Sequence, residues 1–190
     1  MSKSISIFIT LFITIILTGC GTKGLYHEEY ISKDIKPNLN KVTNTEVCLA
    51  SYNNEFITRR MSHPLPDNEI TLKAGEINYK ILNEYTKQYF NQTSSSCNNT
   101  SLKIDSHIKD FKYDFNFFGK GTVFITLNIK VSKGEKLILD KNYFIEKDNK
   151  IITNFFSITQ KSTDNIIELY HRSLLNFYET DFKKDLLEVL

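Results

Sequence analysis

Thr122-Val123-Phe124-Ile125-Thr126-Leu127-Asn128-Ile129-Lys130-Val131 is the stretch from which the fold follows. Val123, Ile125, Leu127, Ile129 and Val131 occupy every second position, with Thr122, Thr126, Asn128 and Lys130 between them. Successive side chains of a strand point to opposite faces, so this spacing predicts a strand with one dry and one wet face. Upstream, Gly119-Lys120-Gly121 reads as a turn, and downstream Lys133-Gly134 reads as another. Leu137 to Lys147 returns with Leu137, Leu139, Tyr143 and Ile145 against Asp140, Asn142 and Glu146. Before the first turn, Leu102, Ile104, Ser106 and Ile108 alternate, and then the apolar residues move to Phe111, Tyr113, Phe115 and Phe117. That change of phase near Lys109-Asp110 predicts a bulge, because a one-residue slip would otherwise turn the whole apolar set to water. Three strands in antiparallel succession form a meander.

Two amphipathic helices flank it. Ile77, Ile81, Tyr85 and Tyr89 recur at four-residue steps behind Thr71 as N-cap, which predicts a helix from Leu72 to Gln92. Ile167, Tyr170, Leu174, Phe177 and Tyr178 predict a second from Asp164, its N-cap, to Leu190. Val47, Leu49, Phe56 and Ile57 around Asn53-Asn54 suggest two short strands about a turn, after which Pro64 and Pro66 break regular structure. Thr93 to Ser101 reads as a polar connection. The order is β(β)-α-β-β-β-α, an α+β fold in which helices pack on one face of an antiparallel or mixed sheet.

The first twenty residues have a different character. Lys3 precedes a thirteen-residue run from Ile5 to Leu17, which is too short for the ~20 residues that span a bilayer as a helix. The run closes on Leu17-Thr18-Gly19-Cys20. This resembles the lipobox of bacterial lipoproteins, which implies cleavage after Gly19 and acylation of Cys20, palmitate included. Two or three acyl chains would hold the mature chain on a membrane permanently. The organisation expected is a signal peptide over 1–19, a lipidated tether over 20–44 and a single domain over 45–190. About twenty flexible residues have a span of roughly 25 Å, enough to let the domain stand off the headgroups. Gly21 rather than an aspartate after the cysteine implies, by analogy with enterobacterial sorting, an outer-membrane address facing the periplasm.

Charge and cysteine usage narrow the chemistry. The 24 Lys+Arg against 22 Asp+Glu nearly cancel, so a nucleic-acid partner has no electrostatic support. With Cys20 acylated, Cys48 and Cys97 remain outside the reducing cytosol. They either form a disulfide, worth on the order of 4 kcal/mol by chain entropy, or stay as a buried hydrophobe and a loop thiol. His27, His63, His107 and His171 fall on a tether, a proline loop, a strand and a helix, and no motif joins them into a nucleophile and base. Asp105, His107 and Asp110 read as a solvated strand face. No cofactor or metal set is expected, and no catalysis. Arg59-Arg60 could meet lipid phosphates or a partner's carboxylates, although neighbours on a strand point to opposite faces. Phe111, Tyr113, Phe115 and Phe117 are either core or an apolar strip for an acyl chain or partner strand.

The layout resembles the ABC-type transport auxiliary lipoproteins, anchored partners of envelope lipid-transport systems with mammalian-cell-entry domain proteins. The resemblance rests on Leu17-Thr18-Gly19-Cys20, on Phe56-Ile57-Thr58-Arg59-Arg60-Met61 ahead of a loop and helix, on Ile108-Lys109-Asp110-Phe111 opening the meander, and on the long C-terminal helix. It implies a partner among the mammalian-cell-entry domain proteins or ABC permeases. The fold is also similar to that of the lipopolysaccharide-assembly lipoprotein, which implies an outer-membrane barrel as partner, and a structural or secretion-apparatus lipoprotein is the third reading.

Overall fold

A computed structural model describes residues 22–23, 43–50, 52, 54–62, 69–94, 97–98, 101–116, 120–150 and 160–190. In chain order the elements are β1 (Thr22–Lys23), β2 (Thr43–Ala50), β3 (Phe56–Arg59), β4 (Glu69–Leu72), α1 (Ala74–Tyr89), β5 (Phe90–Ser94), β6 (Leu102–Phe115), β7 (Lys120–Lys133), β8 (Lys136–Lys150) and α2 (Gln160–Phe177). A π-helical turn (Tyr178–Phe182) then leads directly into α3 (Lys183–Val189).

The meander is the centre of an open mixed sheet ordered β5-β2-β6-β7-β8, with β2 parallel to both its neighbours and β6, β7 and β8 antiparallel. The register between β6 and β7 shifts between Ile108 and Asp110, where the apolar phase changes. Lys133 pairs with Lys136, leaving a two-residue turn whose Gly134 has φ 60°. Positive φ at the first turn position, with none at the second, is the II′ geometry that glycine adopts without a Cβ clash.

Alternation makes one face of this sheet dry. Ile104, Ile108, Phe111, Val123, Ile125, Leu127 and Ile129 lie in one apolar core with Ile77, Ile81, Tyr85, Tyr170, Leu174 and Leu186 of the helices. Each large side chain buried there stabilises the fold by about 1.5–3 kcal/mol. The opposite face carries the charged and amide side chains, so the domain has two layers, helices on one side and water on the other.

Several elements depart from the sequence expectation. β2 and β3 are not a hairpin: β2 lies inside the main sheet, while β3 pairs antiparallel with β4 in a small second sheet ordered β1-β4-β3. Thr71 is a strand residue, and α1 starts after Lys73 without a side-chain cap. Its first-turn donor is satisfied from afar, Gly75 N–H donating to Asn54 O at 3.0 Å. A Cβ on Gly75 would lie 2.0 Å from Tyr52 O, so the close crossing of this loop requires glycine. The polar stretch after α1 begins inside β5, and α2 is already helical at Gln160, four residues before Asp164. Within the stretch read as a tether, Thr22 and Lys23 pair with Ile70 and Thr71.

Candidate docking site

The sequence-predicted aromatic strip is core. Phe111, Tyr113 and Phe115 are buried, Phe111 standing edge-on to Tyr170 of α2 at 5.2 Å. This corrects the reading of that strip as a contact surface, because the helices and the end of β3 cover it. Phe117 and Cys20 lie outside the described residues, as do His27 and His63.

Arg59 and Arg60 point apart, as neighbours on a strand must. Arg59 is exposed and meets Glu69 at 3.1 Å. Arg60 is buried beside the end of β6: Nε donates to Asp114 Oδ1 at 3.2 Å, a terminal nitrogen donates to Phe115 O, and the guanidinium lies 4.2 Å from the centre of the Phe115 ring. A desolvated guanidinium with these partners fixes two strands together, and offers nothing to a ligand's phosphate. It is therefore not a surface contact.

Cys48 and Cys97 are bonded, with Cα atoms 5.3 Å apart. The bond holds the segment after β5 over the outer side of β2, where Asn98 Nδ2 also donates to Glu46 Oε2 at 2.8 Å. Sequence reasoning left this pairing open, because spacing alone does not say that β2 runs beside the end of β5.

On the outer face, Tyr52 donates to Asp105 Oδ2 at 2.7 Å and stacks on His107 with ring centres 4.4 Å apart. The bond to Asp105 first, and burial second, push the Tyr52 phenol up to about 12. His107 is held below its ordinary value by burial and then by Lys109, against the opposing charge of Asp105. Lys109 Nζ is 3.1 Å from His107 Nδ1, so Nδ1 accepts and the ring proton sits on Nε2. Near neutral pH this gives a neutral phenol and a neutral imidazole. His171 is buried within α2, on the helix side of the sheet.

An open cavity of about 360 Å³ is lined by Asn54, Glu55, Lys73 and Glu76. Glu76 lies 3.0 Å from Lys80 and 3.8 Å from Lys73, and these cations, Lys80 foremost, hold its carboxyl below the usual range. A carboxylate so paired is a poor general base. Among the described residues no three His, Cys, Asp or Glu side chains converge as a metal site, and no helix is long and apolar enough to cross a membrane.

What the outer face does offer is an apolar contact point beside a strand edge. β8 is the terminal strand of the sheet. Midway along it Phe144 is 65% exposed, its ring 6.4 Å from Phe124 of β7. Around the pair are Lys120–Asp148 and Lys130–Asp140 ion pairs and Asn128, which donates to Asp140 and Asn142. Exposed aromatics rimmed by polar groups are how binding surfaces are built. Sequence reasoning passed over Phe124 and Phe144, which stand among polar neighbours on the wet face of their strands; an aromatic at a water-facing position was the available signal.

Fold and surface together define a two-layer α+β domain with an exposed aromatic pair on its outer sheet face. No family model matches the chain, and no curated protein matches it. The crystal structure of a Xanthomonas campestris protein of the DUF330 family has the same fold, with a TM-score of 0.56 and 10% identity over 88% of this chain and 95% of that one. A minor lipoprotein of Acinetobacter baumannii has a TM-score of 0.44 at 6% identity, covering 76% of this chain and 94% of its own. At 10% identity the likeness to the DUF330 protein is one of fold.

Proposed function

We propose that the protein is an accessory lipoprotein of a bacterial envelope, held on the membrane by acyl chains at Cys20, that works by docking a component of a lipid ABC transport system. The observation that carries the docking reading is Phe144, exposed at the middle of the long edge strand β8 and backed by Phe124. A partner segment added along β8 would bury that ring while completing main-chain hydrogen bonds of the edge. The anchor rests on Leu17-Thr18-Gly19-Cys20. The transport assignment rests on the resemblance to the auxiliary lipoproteins, and the fold shared with the DUF330 protein along most of both chains is consistent with it. The domain acts by binding rather than catalysis, Glu76 being paired with Lys80 and Lys73 and His107 stacked on Tyr52. The partner expected is a mammalian-cell-entry domain protein or ABC permease, reached from the outer membrane across the periplasm.

The test has two parts. Palmitate should label the wild-type chain and not Cys20→Ala; equal labelling removes the anchor. Pull-down from membranes of the native producer should recover a transport component with wild type and lose it with Phe144→Ser. Recovery of no transport protein, or undiminished recovery with Phe144→Ser, contradicts docking through this edge.

A further inference from the structure

We infer that the small sheet is a membrane-contacting face, and that the lipid bilayer carrying the Cys20 anchor is its occupant; this rests on the reading of Cys20 as acylated. Three observations lead there. The first is the length of chain between anchor and domain. β1 begins at Thr22, two residues after Cys20, and two extended residues reach at most about 7 Å. With Thr22 and Lys23 paired to Ile70 and Thr71, the anchor point is held against the small sheet. The domain does not stand off on twenty free residues.

The second is direction. β1 is parallel to β4 and β3 is antiparallel to it. Walking back from Lys23 to Cys20 therefore follows the same direction as walking forward from Ile57 to Met61. Lys23, Thr71 and Ile57 stand in one row across the sheet, and Thr22, Ile70 and Thr58 in the next. The chain from the anchor thus enters at the end of the sheet where β3 runs out into Met61, with β1 and β3 separated by two strand spacings, roughly 10 Å.

The third is what that surface displays. Ile57 is 66% and Met61 52% exposed, with the exposed Arg59 between them in the sequence. The alternate residues of β3, Phe56 and Thr58, are half-buried. An apolar-cation-apolar series on an outward strand face suits a phospholipid surface, where apolar side chains enter the acyl boundary and a cation remains among phosphates. Met61 N–H donates to Tyr113 O, so this face is continuous with the end of β6. The turn at Gly134 lies at the other end of the meander, where Lys133 pairs with Leu102 and Lys136.

The acylated full-length chain, reconstituted in phosphatidylethanolamine and phosphatidylglycerol vesicles, tests this. An environment-sensitive fluorophore is placed on Ile57→Cys, on Met61→Cys and, as control, on Leu137→Cys, which is 53% exposed near the opposite end of the strands. In wild type the other thiols are acylated or in the disulfide, so each probe is unique. At 57 and 61 emission should shift to the blue and be lost to quencher-bearing lipids, and at 137 it should stay aqueous. Aqueous emission at all three sites on chains that float with the vesicles overturns the inference and leaves the anchor intact. Equal quenching at all three also overturns it. Chains that fail to float remove the anchor, and the inference with it.

Discussion

Tyr178 and Asn78, one hundred residues apart in the chain, meet in the dry layer between α1, β6 and the C-terminal helix, where the phenol donates to Asn78 Oδ1 at 2.7 Å. Asn78 Nδ2 donates in turn to Ser106 Oγ at 3.0 Å, and that hydroxyl lies 2.8 Å from Tyr178 OH. The three groups close a ring of hydrogen bonds, so no partner in it is left unmade. The π-helical turn puts Tyr178 and Phe182 both into the core, and the network fixes how that helix sits on the sheet.

Tyr178→Phe keeps the aromatic body and removes the hydroxyl, leaving Asn78 and Ser106 each short of a buried partner. The expected loss is about 1–3 kcal/mol in urea unfolding. An unchanged midpoint would mean that water enters the site and satisfies the two groups.

Arg60 and Asp114 should respond unequally. Asp114→Asn removes the negative charge that meets a buried guanidinium at 3.2 Å, whereas Arg60→Met removes the cation and keeps an apolar stem over Phe115. Because Asp114 is about a third exposed, the first change should cost about 2–3 kcal/mol, and the second less. Thermal unfolding of both variants gives the order, and the reverse order would show that the bond to Phe115 O dominates.

Replacing Cys48 and Cys97 by alanine together should lower stability by about 2–4 kcal/mol. The urea midpoint, with its slope unchanged, is the readout. A loss below about 1 kcal/mol would mean that the bond to Glu46 holds this segment unaided.

His107 gives a pH dependence of known sign. Its native value lies below the ordinary 6.5 of the unfolded chain, so between the two values the unfolded state binds a proton that the native state refuses. The stabilisation is complete above 6.5 and is lost as pH falls through the native value. Tyr52 stacks on the ring, Lys109 reaches its Nδ1 and Asp105 opposes Lys109 with its own charge. His107→Gln should flatten the slope of unfolding free energy between about pH 7 and 5; an identical slope would contradict the assignment.

The meander was legible because a half-buried strand writes its pattern locally: Val123 to Val131 alternate, and the step from Ile108 to Phe111 marks the bulge. The parallel strands were not. β5 follows Tyr89 directly with no turn residue between helix and strand, and Glu69–Leu72 runs without a breaker into the helix stripe, so the end of β4 reads as the cap and first residue of that helix. The start of α1 is set by Asn54 O, twenty residues upstream, and a cap supplied through space leaves no local signature. The candidate site was hidden for the same reason: whether Phe111 or Phe144 is the exposed ring depends on which face the helices cover.

Docking through the β8 edge is tested most directly by a photoreactive residue placed at Phe144, with a second at Leu137 as control, in the anchored chain within cells of the native producer. The account predicts a crosslink from position 144 to an envelope transport protein and none to that protein from 137. Absence of any protein crosslink from 144, while the chain remains folded and anchored, would contradict it.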